Sequence, residues 1–111
     1  MADPAVLKQI KIKTGVVKRL VKEHHSYVKE VEKETQKVKQ LKEAASNEEE
    51  EYVAKKAEQV LQETRGMIGD TARRCKAAVE ELNKLLNESK LEEGQELIDA
   101  QEQIRLAGEI A

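Results

Sequence analysis

The sequence predicts an all-α protein, an elongated antiparallel three-helix bundle of coiled-coil type. Three observations lead there. Leu7, Thr14, Val21, Val28 and Thr35 recur every seven residues, and Ile10, Val17, His24, Val31 and Val38 follow three residues behind them, which is a heptad seam. The chain is 39% apolar and 38% charged with no Phe or Trp, so its core must come from Val, Leu, Ile and Ala on helix stripes. Helix-start patterns then divide the chain at Ser46–Glu49 and again at Ser89–Glu92. A length of 111 residues fits one domain spanning 1–111.

The first helix, about 4–43, starts at Asp3-Pro4, with Asp3 as N-cap and Pro4 at the first helical position, where its missing N–H is not needed. Within it, IKIKTGVVKRLVKE has a local β-strand reading, because Ile10-Lys11-Ile12-Lys13 alternates and Thr14, Val16 and Val17 are β-formers. The seven-residue repeat overrides it, since a two-residue period cannot hold those positions on one side for so long. Gly15 costs this helix about 1 kcal/mol relative to Ala, and either a close helix contact or mere tolerance accounts for it.

The second helix, about 47–86, opens with Ser46 and Glu49 as a capping box, and its acidic run Glu48–Glu51 suits the positive end of the helix dipole. Its seam is Ala57, Leu61, Thr64, Ile68, Ala72, Cys75, Val79, Leu82 and Leu86. Two consecutive four-residue steps meet at Ile68, beside Gly66 and Gly69, which makes 66–69 the place for a bend or, at the extreme, a full break. The third helix, about 90–107, carries Leu97, Ala100, Ile104 and Ala107, with Ser89 and Glu92 as its capping box. Short connections fold each helix back along its predecessor.

Charge and chemistry narrow the function. The net charge is −2, yet residues 1–42 carry eleven Lys/Arg against five Asp/Glu, and the remainder carries nine against seventeen. Oppositely charged helices pairing within the bundle is the plain reading of that asymmetry. The adjacent His24 and His25 point about 100° apart and lack the i, i+4 partner that zinc requires, so His24 reads as a seam residue and His25 as surface. Cys75 is the only cysteine, which excludes an intrachain disulfide and suits a reducing compartment. No nucleophile–base set, phosphate loop, signal segment or membrane-length apolar run is present, so neither an enzyme, nor a bound cofactor, nor a nucleic-acid or membrane partner is expected. The basic residues Lys11, Lys18, Lys22 and Lys29 form a stripe beside the first seam, and an acidic protein surface fits it best.

Several segments carry a family resemblance: MADP, IKIKTGVVKRLVKE, Tyr27 between Lys and Glu residues, KKAEQVLQETRGMI from Lys55, and Arg73-Arg74. Together they resemble the tubulin-folding cofactor A family over nearly the whole chain. A proline common in that family is replaced by Gly69. The resemblance implies a three-helix cytoplasmic, cytoskeleton-associated chaperone. Its client is β-tubulin, captured near-native after chaperonin release and passed on towards the αβ heterodimer, with other tubulin-folding cofactors as further partners. It implies no metal or nucleotide, and a monomer over a homodimer. The lysine stripe is the first candidate contact, and Gln62, Glu63 and Arg65 on the second helix are the next. From the residues alone, a coiled-coil adaptor or dimerisation module is the alternative.

Overall fold

The computed structural model describes residues 3–110, so Met1 and Ala2 of the MADP segment lie outside the described residues. Three helices account for the architecture: α1 (Pro4–Ala44), α2 (Glu48–Ser89) and α3 (Gln95–Ala107). Among the described residues there is no strand, and IKIKTGVVKRLVKE lies wholly within α1.

The chain divides into two compact units, one formed by 1–23 with 71–111 and the other by 24–70. The first holds all three helices. Its core is Ile10, Val17 and Val21 of α1, Cys75 and Leu82 of α2, and Ala100 of α3, with Val79, Leu86 and Ile104 among the half-buried residues packed against it. Lys13 Nζ to Glu81 Oε2 at 3.2 Å and Arg74 to Glu23 at 3.1 Å step down α1 as they step up α2, so the two helices run antiparallel. These pairs are exposed and contribute roughly 0–1 kcal/mol each.

The second unit is a two-helix hairpin. Its buried residues are His24, Val38, Ala54 and Leu61. Thr64 Oγ1 donates to Glu34 Oε1 at 3.1 Å, and Lys42 pairs with Glu58 at 2.9 Å, again in antiparallel order. Through that bond Lys42 holds the Glu58 carboxyl below the usual range.

Helix ends follow local chemistry, with two corrections to the sequence reading. Asp3 caps α1 as expected, its Oδ1 accepting from Ala5 N at 2.9 Å. At α2 the cap is Asn47 and not Ser46: Asn47 Oδ1 accepts from Glu50 N at 2.9 Å, while Asn47 Nδ2 donates to Glu50 Oε1 at 2.8 Å. Ser46 and Asn47 are both good caps, each followed three residues later by Glu, and the chain uses the later pair. The second correction concerns α3, which begins at Gln95 and not near 90. Ser89 belongs to the end of α2, where its hydroxyl donates to Leu86 O at 2.9 Å and accepts from Leu91 N at 3.3 Å. Lys90 follows with φ 54° and breaks the helix. The link ends at Gly94, whose φ of 117° strongly favours glycine.

Helix α2 runs through 66–69 without a break. A Cβ placed on Gly15 or Gly66 would meet nothing within 4 Å, so both glycines are tolerated and neither serves a close helix contact.

Candidate functional site

The heptad seam places apolar residues inward and leaves the lysines outside. Lys11, Lys18 and Lys22 lie in the first unit and Lys29 in the second, and all four are exposed. Their surroundings differ. Lys11 lines a cleft of about 140 Å³ with Thr14 and with Gln95, Glu96 and Asp99 of α3, so the acidic start of α3 faces it. Thr14 is buried in that wall, its hydroxyl satisfied by donating to Ile10 O at 2.7 Å. Lys18, Lys22 and Lys29 are in no ion pair among the described residues. Gln62, Glu63 and Arg65 are exposed on α2 in the second unit.

Two surface features carry no mark in a reading by single seams. On α2, Val53, Val60 and Met67 are exposed at 52%, 50% and 40%, seven residues apart. They form a second apolar stripe in the second unit, and the seven-residue spacing was the signal available for it. The other feature is a groove of about 540 Å³ in the first unit, between α2 and the C-terminal end of α3. Ala72 and Val79 form one wall, Ile104, Ala107 and Ile110 the other, and Arg73, Lys76 and Glu80 its charged rim. Ala72, Ala107 and Gly108 in its lining carry little or no side chain.

The titratable groups inside the helices offer structure more than chemistry. His24 is 8% exposed with both ring nitrogens lacking a partner, and burial, then the neighbouring His25 charge, lower its pKa. The two imidazoles meet edge-on with ring centroids 6.0 Å apart. Burial pushes the Cys75 thiol upward, away from the reactive thiolate. Among the described residues no group of three or more His, Cys, Asp or Glu is placed to hold a metal, and no helix is long and apolar enough to cross a membrane. What the surface can offer is helix faces and grooves for another protein.

A family model described as tubulin binding cofactor A matches residues 5–104. The chain belongs to the tubulin binding cofactor A family. Human tubulin-specific chaperone A is 48% identical over 101 residues, covering 90% of each chain. Tubulin-folding cofactor A of Arabidopsis thaliana is 39% identical over 103 residues, covering 90% of this chain and 88% of that one. The crystal structure of tubulin folding cofactor A from Arabidopsis thaliana superposes with a TM-score of 0.84 at 37% identity, covering 96% and 98% of the two chains. The human tubulin chaperone cofactor A structure gives 0.73 at 41% identity, covering 90% and 95%. The family is therefore the one that IKIKTGVVKRLVKE and KKAEQVLQETRGMI resemble, and its solved members share the all-helical fold.

Proposed function

We propose that this chain is a tubulin chaperone of the cytoplasm, which captures near-native β-tubulin after its release from chaperonin and passes it on for assembly of the αβ heterodimer. Membership of the tubulin binding cofactor A family across residues 5–104 carries the reading. The helical surface supports it by offering exposed faces for a protein client. Capture draws on the exposed Lys18 and Lys22 in the first unit and Lys29 in the second, which attract an acidic client and raise its association rate. Lys11, beside Glu96 and Asp99, contributes less because α3 already balances it. Gln62, Glu63 and Arg65 are the next contact candidates. Other tubulin-folding cofactors act at the hand-off, which needs no bound cofactor or chemical step.

The test is direct capture. Purified chain mixed with chaperonin-released β-tubulin should form a complex of monomeric chain with monomeric β-tubulin. Lys18→Glu with Lys22→Glu should weaken it several-fold at low salt with melting nearly unchanged, and the loss should shrink once salt screens beyond the ~8–10 Å Debye length. Absence of any tubulin complex would overturn the reading. The heptad-spaced Val53, Val60 and Met67 favour one other reading, a coiled-coil module that self-associates, and a concentration-dependent dimer abolished by Val60→Glu would support it instead.

A further inference from the structure

Gly15 lies well inside α1, where glycine destabilises a helix relative to alanine, and nothing within the chain accounts for it. Its φ is not positive, so its backbone does not demand glycine. A Cβ built there would meet no atom within 4 Å, so no neighbouring helix demands it either. The use of the missing side chain therefore lies outside the chain, in what approaches this face. On a helix surface the neighbours of residue 15 are those three, four and seven positions away. Here they are Lys8, Lys11, Ile12, Lys18, Arg19 and Lys22, all exposed and all in the first unit with Gly15. Five of the six are cations, and none of the five is in an ion pair among the described residues. Glu96 and Asp99 face Lys11 across its cleft, and five positive charges less these two leave a net of three. Ile12, 49% exposed, is the one apolar member of the ring. Gly66 gives the contrast: it too faces open space within a helix, but the residues at the same spacings include Glu63, Asp70 and Arg73, of mixed sign.

We propose that Gly15 is a notch where an acidic segment of the client protein crosses α1, its main chain against the bare helix backbone and its carboxylates met by the surrounding Lys and Arg side chains. The inference rests on the chaperone reading and gives it a point of contact. Without a Cβ at residue 15 the partner's backbone comes closer than at any other position of the stripe. Closer approach sets its carboxylates among cations on both sides, with Lys8 and Lys11 one way along α1 and Lys18, Arg19 and Lys22 the other. Ile12 takes an apolar side chain at the edge. Charge complementarity makes the occupant acidic, and the notch makes it a protein chain. Long lysine and arginine arms reach the phosphates of a lipid surface or a nucleic acid without any need for a bare backbone between them.

The test is affinity for chaperonin-released β-tubulin, measured on the full chain with helicity and melting followed in parallel. Gly15→Ala should raise melting and lower affinity several-fold, an opposition that a merely tolerated glycine would not produce. Gly15→Leu should lower affinity about tenfold or more with the helix kept, since leucine is a good helix former and meets open space. Arg19→Glu should weaken capture several-fold at low salt and less at high salt. Added to Gly15→Leu it should cause little further loss, because both changes act at one contact. Unchanged affinity in a folded Gly15→Leu chain overturns the proposal, and Gly15→Ala decides in its place if leucine lowers melting. Arg19→Glu binding as tightly as the parent at low salt also overturns it, since the occupant would then not be acidic. Binding of the parent to anionic phospholipid vesicles that Arg19→Glu abolishes, with tubulin capture untouched, would assign the cations to a membrane surface instead. If the parent captures no tubulin at all, the chaperone reading falls and the notch with it. If the parent and the Gly15 variants capture equally well, the notch alone is refuted.

Discussion

Replacing His24 with Leu should stabilise the protein. The ring is 8% exposed and neither nitrogen has a partner among the described residues, while its position on the α1 seam is otherwise filled by apolar residues such as Val17, Val31 and Val38. A buried polar group without a hydrogen bond costs roughly 1–3 kcal/mol, and leucine removes that cost while keeping a branched apolar side chain in the space. For a chain of this size 1 kcal/mol moves Tm by about 4 °C, so a rise of roughly 4–12 °C is expected near pH 7.5. The pH dependence adds a second signature. Burial lowers the folded-state pKa of His24, so the unfolded chain binds its proton more readily. The native state then keeps its full advantage above the unfolded value of about 6.5 and loses stability as pH falls from there through the depressed folded value. Thermal melts followed by circular dichroism at about pH 7.5 and pH 5.5 should show the parent chain losing more Tm on acidification than the His24→Leu variant. A variant that melts lower near neutral pH would refute the reasoning, because the imidazole would then be making interactions that stabilise the fold, and one that retains the parent's full acid sensitivity would refute it by assigning that sensitivity to other groups.

Three further sets of substitutions probe the helices themselves. Val17→Asp and Leu82→Asp place a carboxylate at fully buried positions and should each cost several kcal/mol, whereas Lys18→Asp, one residue away and exposed, should be far milder; equal shifts in thermal unfolding would contradict the seam. Gly15→Ala and Gly66→Ala should each raise stability by about 0.5–1 kcal/mol in urea unfolding, because the added methyl meets open space in mid-helix, and a loss would reveal a hidden contact. Asn47→Ala should cost about 1 kcal/mol and Ser46→Ala much less, and the reverse order in thermal melts would restore Ser46 as the cap.

The seams were legible because a seven-residue repeat sustained over several turns has no competing explanation, and every residue assigned to the α2 seam is buried or half-buried. Thr35 shows the limit of counting by sevens. Thr35 is exposed, its hydroxyl donating to Val31 O, and Glu34 takes the half-buried position beside Thr64, while Val38, equally far along the companion series, stays buried. Helix ends were less legible, since Ser46 and Asn47 fit the same pattern and only the backbone path selects between them. Ser89 fits a start pattern yet serves a helix end. Exposure of the lysines followed from their place beside the seam. The contrast between Lys11 and the other three did not, because it depends on where α3 begins. The α2–α3 groove was beyond sequence reasoning for the same reason: it is the space between two helices, and the residues lining it from either side are distant in the chain.

The link between α1 and α2 has only three residues, and the Lys42–Glu58 ion pair and the Thr64–Glu34 hydrogen bond mark which residue of one helix stands opposite which residue of the other. Lineages of such a protein are therefore constrained in the insertions and deletions they can accept. Losing seven residues from α1 alone would slide the strips of side chains past one another by about 10 Å and strand Glu34 from Thr64. Losing seven from each helix, at equal distances from the link, would shorten the hairpin and leave every remaining partner in place. Length change in this hairpin should therefore be paired, a change in one arm being tolerated only where the other arm changes to match.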